Sequence, residues 1–233
     1  MKFENTSVYN MLNAFRGMRN PMNSWEKADS VLANYVETDA DNPVFGKNDM
    51  NLAKSLIKGG PEHRKFLRQI FLSVDITAPI YWWTEFDTYK VGTTANSCST
   101  MHKITSRHLT IDDFELVHTI DTSHMNYSDI LIFREHLRGL IDHINFYIDQ
   151  YKLVDQTSPE GPRMKLIYLR LIKKLLPASY LQKRTVTMNY ENILNIYHQR
   201  KNHRLPEWSV DFIGWAKTLP GFNELIDITK ENN

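Results

Sequence analysis

The chain has 233 residues, and its 28 lysines and arginines against 27 aspartates and glutamates give a formal net charge of +1. That balance argues against a nucleic-acid-binding protein, which normally carries a basic excess, and against an acidic disordered chain. Hydrophobic residues make up 42% of the sequence, with 9 glycines and 9 prolines. A packed core is therefore expected, and collagen-like or low-complexity structure is excluded.

The chain has one cysteine, Cys98, which excludes an intramolecular disulfide and a zinc site built from several thiolates. The histidines are scattered without a metal-binding spacing, so no metal is expected. Residues 1–15 are too polar for a secretory signal, and no window approaches the ~18 consecutive apolar residues of a membrane span. We therefore expect a cytoplasmic protein without a membrane segment.

Residues 1–60 are expected to be helical and irregular, ending at the breaker cluster Gly59-Gly60-Pro61. A short helix is predicted over residues 62–67, after that proline. The period then changes to two residues, which is typical of a strand. Its alternating apolar positions are Ile70, Leu72, Val74 and Ile76.

A helix starting on Pro79 is expected over residues 79–87, followed by a loop over the polar stretch 92–100. Apolar residues every three or four positions predict a long amphipathic helix over 130–151. The remaining expected elements are a strand over 183–188 and helices over 164–176, 190–201 and 208–217. The sequence thus predicts an α+β fold with two or three strands. We expect a single domain over residues 1–233, with a variable acidic insertion at about 105–126.

The helix expected over residues 190–201 carries polar candidates on one face at about 100° per residue. They are Asn192, Asn195, Gln199 and Asn202, with Glu191 and His198 beside them. This row is either a plain solvated face or a surface suited to a flavin or base edge, since amides both donate and accept hydrogen bonds. Arg200 lies on the opposite apolar stripe, so its guanidinium must reach water, find a carboxylate or meet an anionic ligand.

A second candidate region follows the tryptophan pair Trp82-Trp83, which is expected in the core or a subunit interface. Glu85 and Tyr89 are one helical turn apart, and Lys90 can reach an anion held by loop amides and hydroxyls. The single glycine there excludes a nucleotide P-loop. Cys98 is either a nucleophile or, like most lone cysteines, inert.

The two candidate regions lie in a distinctive order. A Leu-Pro…Tyr segment from Leu176 leads into Thr-x-Asn at Asn189, and Arg200 follows eleven residues later. This arrangement resembles the flavin-dependent thymidylate synthases, a family that makes dTMP from dUMP with FAD, NADPH and methylenetetrahydrofolate. The similarity covers residues 60–104 and 164–208.

The chain departs from the signature of that family. The family has Arg-His-Arg, seven residues and then Ser, whereas this chain has Thr88-Tyr89-Lys90, seven residues and then Cys98. Other positions depart as well: Glu85 replaces Gln, Arg68-Gln69 replace Glu-His, Asn96 replaces an acidic residue, Thr100 and Glu191 replace arginines, Arg204 replaces His, and Lys173 falls near a phosphate-binding arginine.

The resemblance implies roles for these residues. FAD would be held by Asn189, Asn195, Tyr89, Lys90, Asn96 and Arg204. The nucleotide would be held by Arg200, Lys173, Cys98 and Ser99. The catalytic positions would be Arg200, Cys98 and Glu85, and no metal is implied.

The implied function is a divergent FAD-dependent thymidylate synthase that methylates dUMP reductively with methylenetetrahydrofolate and NADPH. The implied fold is a small mixed sheet flanked by long helices, and the implied assembly is a homotetramer that binds neither nucleic acid nor membrane. Two alternatives stay open. One is a flavoenzyme of the same fold acting on another pyrimidine nucleotide, and the other is a non-catalytic binding or assembly protein on this scaffold.

Overall fold

The structure, a computed structural model, describes residues 1–33, 43–116 and 125–228. Its strands are β1 (Lys2–Tyr9), β2 (Val31–Leu32), β3 (Pro43–Val44), β4 (Phe71–Pro79), β5 (Thr94–Ser97) and β6 (Leu181–Asn189). Its helices are α1 (Met11–Met18), α2 (Lys47–Lys58), α3 (Ile80–Phe86), α4 (Thr100–Lys103), α5 (Tyr127–Leu153), α6 (Gly161–Leu175), α7 (Tyr190–Arg200), α8 (Ile213–Ala216) and α9 (Phe222–Leu225). A π-helix, Glu207–Phe212, leads into α8.

Four strands form one sheet in the order β1-β4-β6-β5, and β2 pairs with β3 in an antiparallel ladder. The strand predicted from alternation is confirmed as β4, because Leu72, Val74 and Ile76 are fully buried, as is Ile70 directly before it. The predicted α+β class is confirmed, but the expectation of two or three strands is wrong, since the described residues form six. The breaker at Gly59 is confirmed too, since α2 ends at Lys58, whereas the short helix expected over 62–67 is a 3₁₀-helix at Lys65–Gln69.

The expectation that the N-terminus is helical and irregular is wrong for β1. This strand is stabilised by residues about 200 positions away in the chain. The Phe3 ring stacks on Trp215 at 4.9 Å between centroids, the Trp215 Nε1 donates to the Thr6 hydroxyl at 3.0 Å, and the N-terminal ammonium lies 2.7 Å from Asp211. No local pattern in the sequence reveals such partners.

The loop expected over residues 92–100 is wrong where β5 forms. All four residues of β5 are exposed, so the strand has no apolar alternation to identify it. It lies at the edge of the sheet beside β6, and pairing of this kind is made through the backbone. Just beyond its end, the Cys98 amide donates to the Lys183 carbonyl at 3.0 Å.

The chain divides into two compact units, and the divisions within β4, β5 and β6 fall inside the strands. Unit 1 comprises Met1–Ile76, Asp87–Asn96 and Arg184–Asn233, and unit 2 comprises Thr77–Phe86 and Ser97–Lys183. The single domain expected over residues 1–233 stays a prediction.

In unit 2, helices α5 and α6 pack against each other. They confirm the helices expected over 130–151 and 164–176. Their buried side chains form an apolar cluster that also takes in the chain before α5: Ile104, Leu109, Phe114, Leu137, Ile141, Ile144, Ile148 and Ile172. The segment expected to be an acidic insertion contributes the buried residues Leu109 and Phe114, and residues 117–124 of it lie outside the described part, so the insertion stays a prediction. Among the described residues, no helix is both long and apolar enough to cross a membrane.

Candidate functional site

Helix α7 begins with a reciprocal cap made by two asparagines. The Asn189 Oδ1 accepts the Asn192 backbone N–H at 3.0 Å, and the Asn192 Oδ1 accepts the Asn189 backbone N–H at 3.1 Å. Such a capping box satisfies backbone donors that the first turn of a helix leaves unpaired. The apolar stripe expected on the other side is confirmed, since Ile193, Ile196 and Tyr197 are buried.

The segment after Tyr89 packs against this helix start. The Asn192 Nδ2 donates to the Val91 carbonyl at 2.7 Å. Gly92 has a φ of +77°, and a Cβ added there would lie 2.9 Å from the Asn189 Nδ2. Only glycine combines this left-handed backbone with so close an approach. The segment that follows Tyr89 is thereby held against Asn189 and Asn192.

Replacing Gly92 with alanine is expected to destabilise the protein more than the same change at Gly60. Gly60 also has a positive φ, +98°, but nothing lies within 4 Å of the Cβ that would be added. The left-handed backbone alone costs about 1 kcal/mol at either site, and the contact with Asn189 should add about 1 kcal/mol at Gly92. Urea unfolding of the two variants measures the difference. Equal losses would show that Gly92 does not need its close approach to the helix.

Arg200, at the end of α7, lies against aromatic rings. Its guanidinium Cζ is 4.7 Å from the Trp208 ring centroid and 5.6 Å from that of Tyr89. Its Nε donates to the Tyr89 hydroxyl at 2.8 Å, and its Nη1 lies 2.8 Å from the His203 Nε2. Ring faces attract cations, so this half-buried charge is held in one place rather than extended into water.

Tyr89 links Arg200 to the polar face of the same helix. The Tyr89 hydroxyl accepts from Arg200 and donates to the Gln199 Oε1 at 2.9 Å. Tyr89 and Arg200, two residues that the resemblance places at the site, are therefore in direct contact, although 111 positions separate them.

Two arginines from the 3₁₀-helix before β4 meet α7 at its first turn. The Arg64 Nε donates to Glu191 at 3.2 Å, its Nη2 donates to the Asn195 Oδ1 at 3.4 Å, and Arg68 forms a second ion pair with Glu191. Burial on its own would raise the pKa of the Glu191 carboxyl. The hydrogen bonds from Arg68 and Arg64 outweigh that effect and hold this pKa below 4.5.

Replacing Glu191 with glutamine is expected to lower stability at neutral pH and to flatten its loss in acid. Because the folded pKa is lower than the unfolded one, the stabilisation is complete above about pH 4.5 and is lost as the pH falls through the folded value. Urea midpoints measured from pH 7 down to pH 3 test this. Glu62→Gln is the control. The Glu62 side chain is 87% exposed, and its ion pair with Lys65 is long, at 4.0 Å, so it should contribute little to stability. An acid loss in the Glu191→Gln variant as steep as in the parent would contradict the assignment.

The other predicted residues of unit 1 lie in water-exposed positions. Lys90, Asn96 and Arg204 are all exposed.

Unit 2 holds the remaining predicted residues. Glu85 lies on α3, in which Trp82 and Trp83 are completely buried, so the expected core position of the tryptophan pair is confirmed. Cys98 and Ser99 are exposed, and the Gln182 Nε2 donates to the Cys98 carbonyl at 3.1 Å.

Lys173, on α6, is exposed, and its Nζ lies 2.9 Å from the Met101 Sδ. Within the described residues, no group of three or more histidine, cysteine or acidic side chains could hold a metal ion.

Sequence reasoning did not identify Arg64, His203 or Trp208. Arg64 meets Glu191 across 127 positions, and nothing in its own segment signals that contact. Trp208 carried a weak signal, because a large ring eight residues after Arg200 can fold back over the helix end.

Comparison with known proteins places the fold. No protein-family model and no curated protein matches the sequence. Two solved structures of the flavin-dependent thymidylate synthase ThyX from Helicobacter pylori, both with FAD and dUMP, are similar in structure. One is 13% identical, with a TM-score of 0.59 over 97% of this chain and 98% of its own. The other is 15% identical, with a TM-score of 0.60 over 99% of this chain and 100% of its own. The chain therefore shares the fold of these enzymes along nearly its whole length.

Proposed function

We propose that this chain is a divergent flavin-dependent thymidylate synthase that converts dUMP to dTMP. The observation that carries the proposal is the position of Arg200, held by Tyr89 and Trp208 at the end of α7, in a chain with this fold. Methylenetetrahydrofolate would provide the one-carbon unit for C5 of the uracil, and NADPH the reducing equivalents. Bound flavin, once reduced by NADPH, would supply the hydride that completes the methyl group.

The residues around α7 suit a ligand with phosphates. Arg64, Arg68 and Arg200 bring three guanidinium groups to this helix, and Arg64 and Arg68 both pair with Glu191. Lys90 adds an exposed ammonium on the segment after Tyr89. Guanidinium groups bind phosphate oxygens in pairs of hydrogen bonds, whereas lysine contributes a point charge. The set therefore fits an anionic dinucleotide such as FAD beside a nucleotide monophosphate.

In this proposal, Arg200 binds and orients the nucleotide through its guanidinium group, whose position is fixed by the rings of Tyr89 and Trp208. FAD is held by Asn189, Asn195, Tyr89, Lys90, Asn96 and Arg204. The substrate phosphate and base are met by Lys173, Cys98 and Ser99, and Glu85 and Cys98 orient the reacting base. One domain over residues 1–233 would carry the activity, in the cytoplasm.

A homotetramer is part of the proposal. Helices α5 and α6 expose large apolar side chains at positions where a second copy would cover them: Leu131, Ile132, Phe133, Phe146, Leu166 and Ile167. Burying these apolar side chains against a second copy would remove them from water, which favours association. The tryptophan pair is buried inside unit 2 and is not available to that interface. Light scattering of the purified chain gives the number of subunits.

The decisive experiment follows the product. The purified protein, supplied with FAD, NADPH, methylenetetrahydrofolate and dUMP, is expected to form dTMP. A parallel panel of other pyrimidine nucleotides tests the alternative substrate, which the departures from the family at Thr88, Glu85 and Thr100 favour. Flavin oxidation with another nucleotide but not with dUMP would replace the proposed substrate. Absence of flavin binding together with full tolerance of Arg200→Ala would identify a non-catalytic protein.

A further inference from the structure

The amide side chains of α7 turn their oxygen atoms toward donor groups of the protein. At the start of the helix, the oxygens of Asn189 and Asn192 each accept a backbone N–H. A backbone N–H can only donate, so these contacts fix the orientation of each amide. The Asn192 nitrogen then donates to the Val91 carbonyl, so this amide serves the fold at both ends.

Gln199, at the other end of the helix, also turns its oxygen toward a donor group. Arg200 has no acceptor, so the Tyr89 hydroxyl must accept from its Nε and use its own proton elsewhere. That proton goes to the Gln199 Oε1, 2.9 Å away. The Gln199 amide nitrogen is thereby turned away from Tyr89.

Asn195, midway along the exposed face, is oriented by a charge pair. Its Oδ1 accepts from the Arg64 Nη2 at 3.4 Å, and Arg64 is itself held by Glu191 through its Nε at 3.2 Å. The side chain of Glu191 is 12% exposed and that of Arg64 is 18% exposed, whereas Asn195 is exposed. The partly buried pair thus determines the orientation of an amide that a ligand can reach.

We infer that α7 presents the amide nitrogens of Asn195 and Gln199 as a row of hydrogen-bond donors, and that Arg64 and Glu191 are positioning residues that turn the Asn195 amide nitrogen toward the ligand. The group bound there is an acceptor oxygen, from either a phosphate or a ring carbonyl. This inference rests on the proposed function for the identity of the ligand, FAD. The donor row itself follows from the contacts of the helix.

Charge and geometry predict opposite effects at Glu191. If this carboxylate acted on an anionic ligand only through its charge, its neutralisation would tighten binding. If it positions Arg64, and through it Asn195, the same change weakens binding because the amide is free to turn. The sign of the effect therefore separates the two roles.

The test measures FAD affinity by quenching of flavin fluorescence. Glu191→Gln, Arg64→Lys and Asn195→Ala are each expected to weaken binding about three- to tenfold, the effect of one lost hydrogen bond. The Glu191→Gln/Asn195→Ala double variant should bind no more weakly than the weaker single variant, since both changes remove the same contact. Arg64→Lys keeps the charge, so its loss of affinity reports geometry. Glu62→Gln, an exposed charge change nearby, should leave affinity unchanged.

Riboflavin and inorganic pyrophosphate identify the acceptor. An Asn195→Ala loss shared by FAD and riboflavin assigns a ring carbonyl, and a loss shared by FAD and pyrophosphate assigns a phosphate. If the parent protein binds pyrophosphate but not FAD, and the variants weaken that binding, the donor row stands and the flavin assignment of the proposed function fails. Unchanged or tighter binding in folded Glu191→Gln, or no binding of any probe by the parent protein, overturns the inference.

Discussion

Replacing Asp49 with alanine is expected to lower the free energy of unfolding by about 3–5 kcal/mol. The Asp49 side chain is 2% exposed and pairs with Arg19, which is 3% exposed, through an Nε–Oδ1 hydrogen bond of 2.8 Å. It also accepts the backbone N–H groups of Asp29 and Ser30, at 3.1 and 2.8 Å. The alanine leaves a guanidinium buried without its counter-charge and two amides without their acceptor.

A double variant separates the effect of losing the ion pair from the effect of leaving one charge buried without its partner. Replacing Arg19 with methionine and Asp49 with leucine should recover the part of the stability that is lost to the lone buried guanidinium. It should not recover the part lost because the backbone N–H groups of Asp29 and Ser30 have no acceptor. Glu135→Ala on α5 is the control, since its pair with Arg138 is more than half exposed and should cost below about 1 kcal/mol. Urea unfolding compares all three. A double variant as unstable as Asp49→Ala would contradict the assignment.

Replacing Arg200 with alanine is expected to weaken dUMP binding about 100-fold, because hydrogen bonds to a charged group contribute roughly 1.5–3 kcal/mol. The guanidinium is held by the rings of Tyr89 and Trp208 and by the Tyr89 hydroxyl, so its donors are already oriented before the nucleotide arrives. The Arg200→Lys variant should bind dUMP with an affinity between those of the parent and of Arg200→Ala, since lysine keeps the charge and loses the planar guanidinium. Isothermal titration with dUMP measures the three affinities.

Lys201→Ala is the matched control for this change. Lys201 carries the same charge one residue further on, and its Nζ lies 5.4 Å from the Tyr197 ring instead. Its loss should alter dUMP affinity by less than about threefold, because a screened surface charge contributes little. Equal losses in the two alanine variants would mean that only net charge matters and that Arg200 has no specific role.

The spacing of apolar residues predicted those elements that have one apolar face and one polar face. The alternation of β4 and the spacing of α5 were both confirmed, since one face of each packs into a core. The strand β1 could not be predicted in this way, because Phe3 and Thr6 find their partners near the other end of the chain. Nor could β5, whose side chains are all exposed and whose pairing uses the backbone.

The same limit applies to the site. Arg200 was identified because a charge on an apolar helix stripe needs an explanation, and the structure provides two rings. Its partners could not be identified from spacing, since Tyr89 lies 111 positions away. Arg68 and Glu191 both depart from the family that the sequence resembles. The structure explains the two departures together, because the side chains form an ion pair.

The most direct test of the whole account is the visible absorption spectrum of the purified protein during titration with FAD. FAD is expected to bind saturably at one site per chain, and the flavin absorption should stay with the protein after gel filtration. Weaker binding is expected in the folded Asn195→Ala variant. A protein that stays colourless and leaves FAD fluorescence unchanged at saturating concentrations would contradict the assignment of α7 as a flavin site.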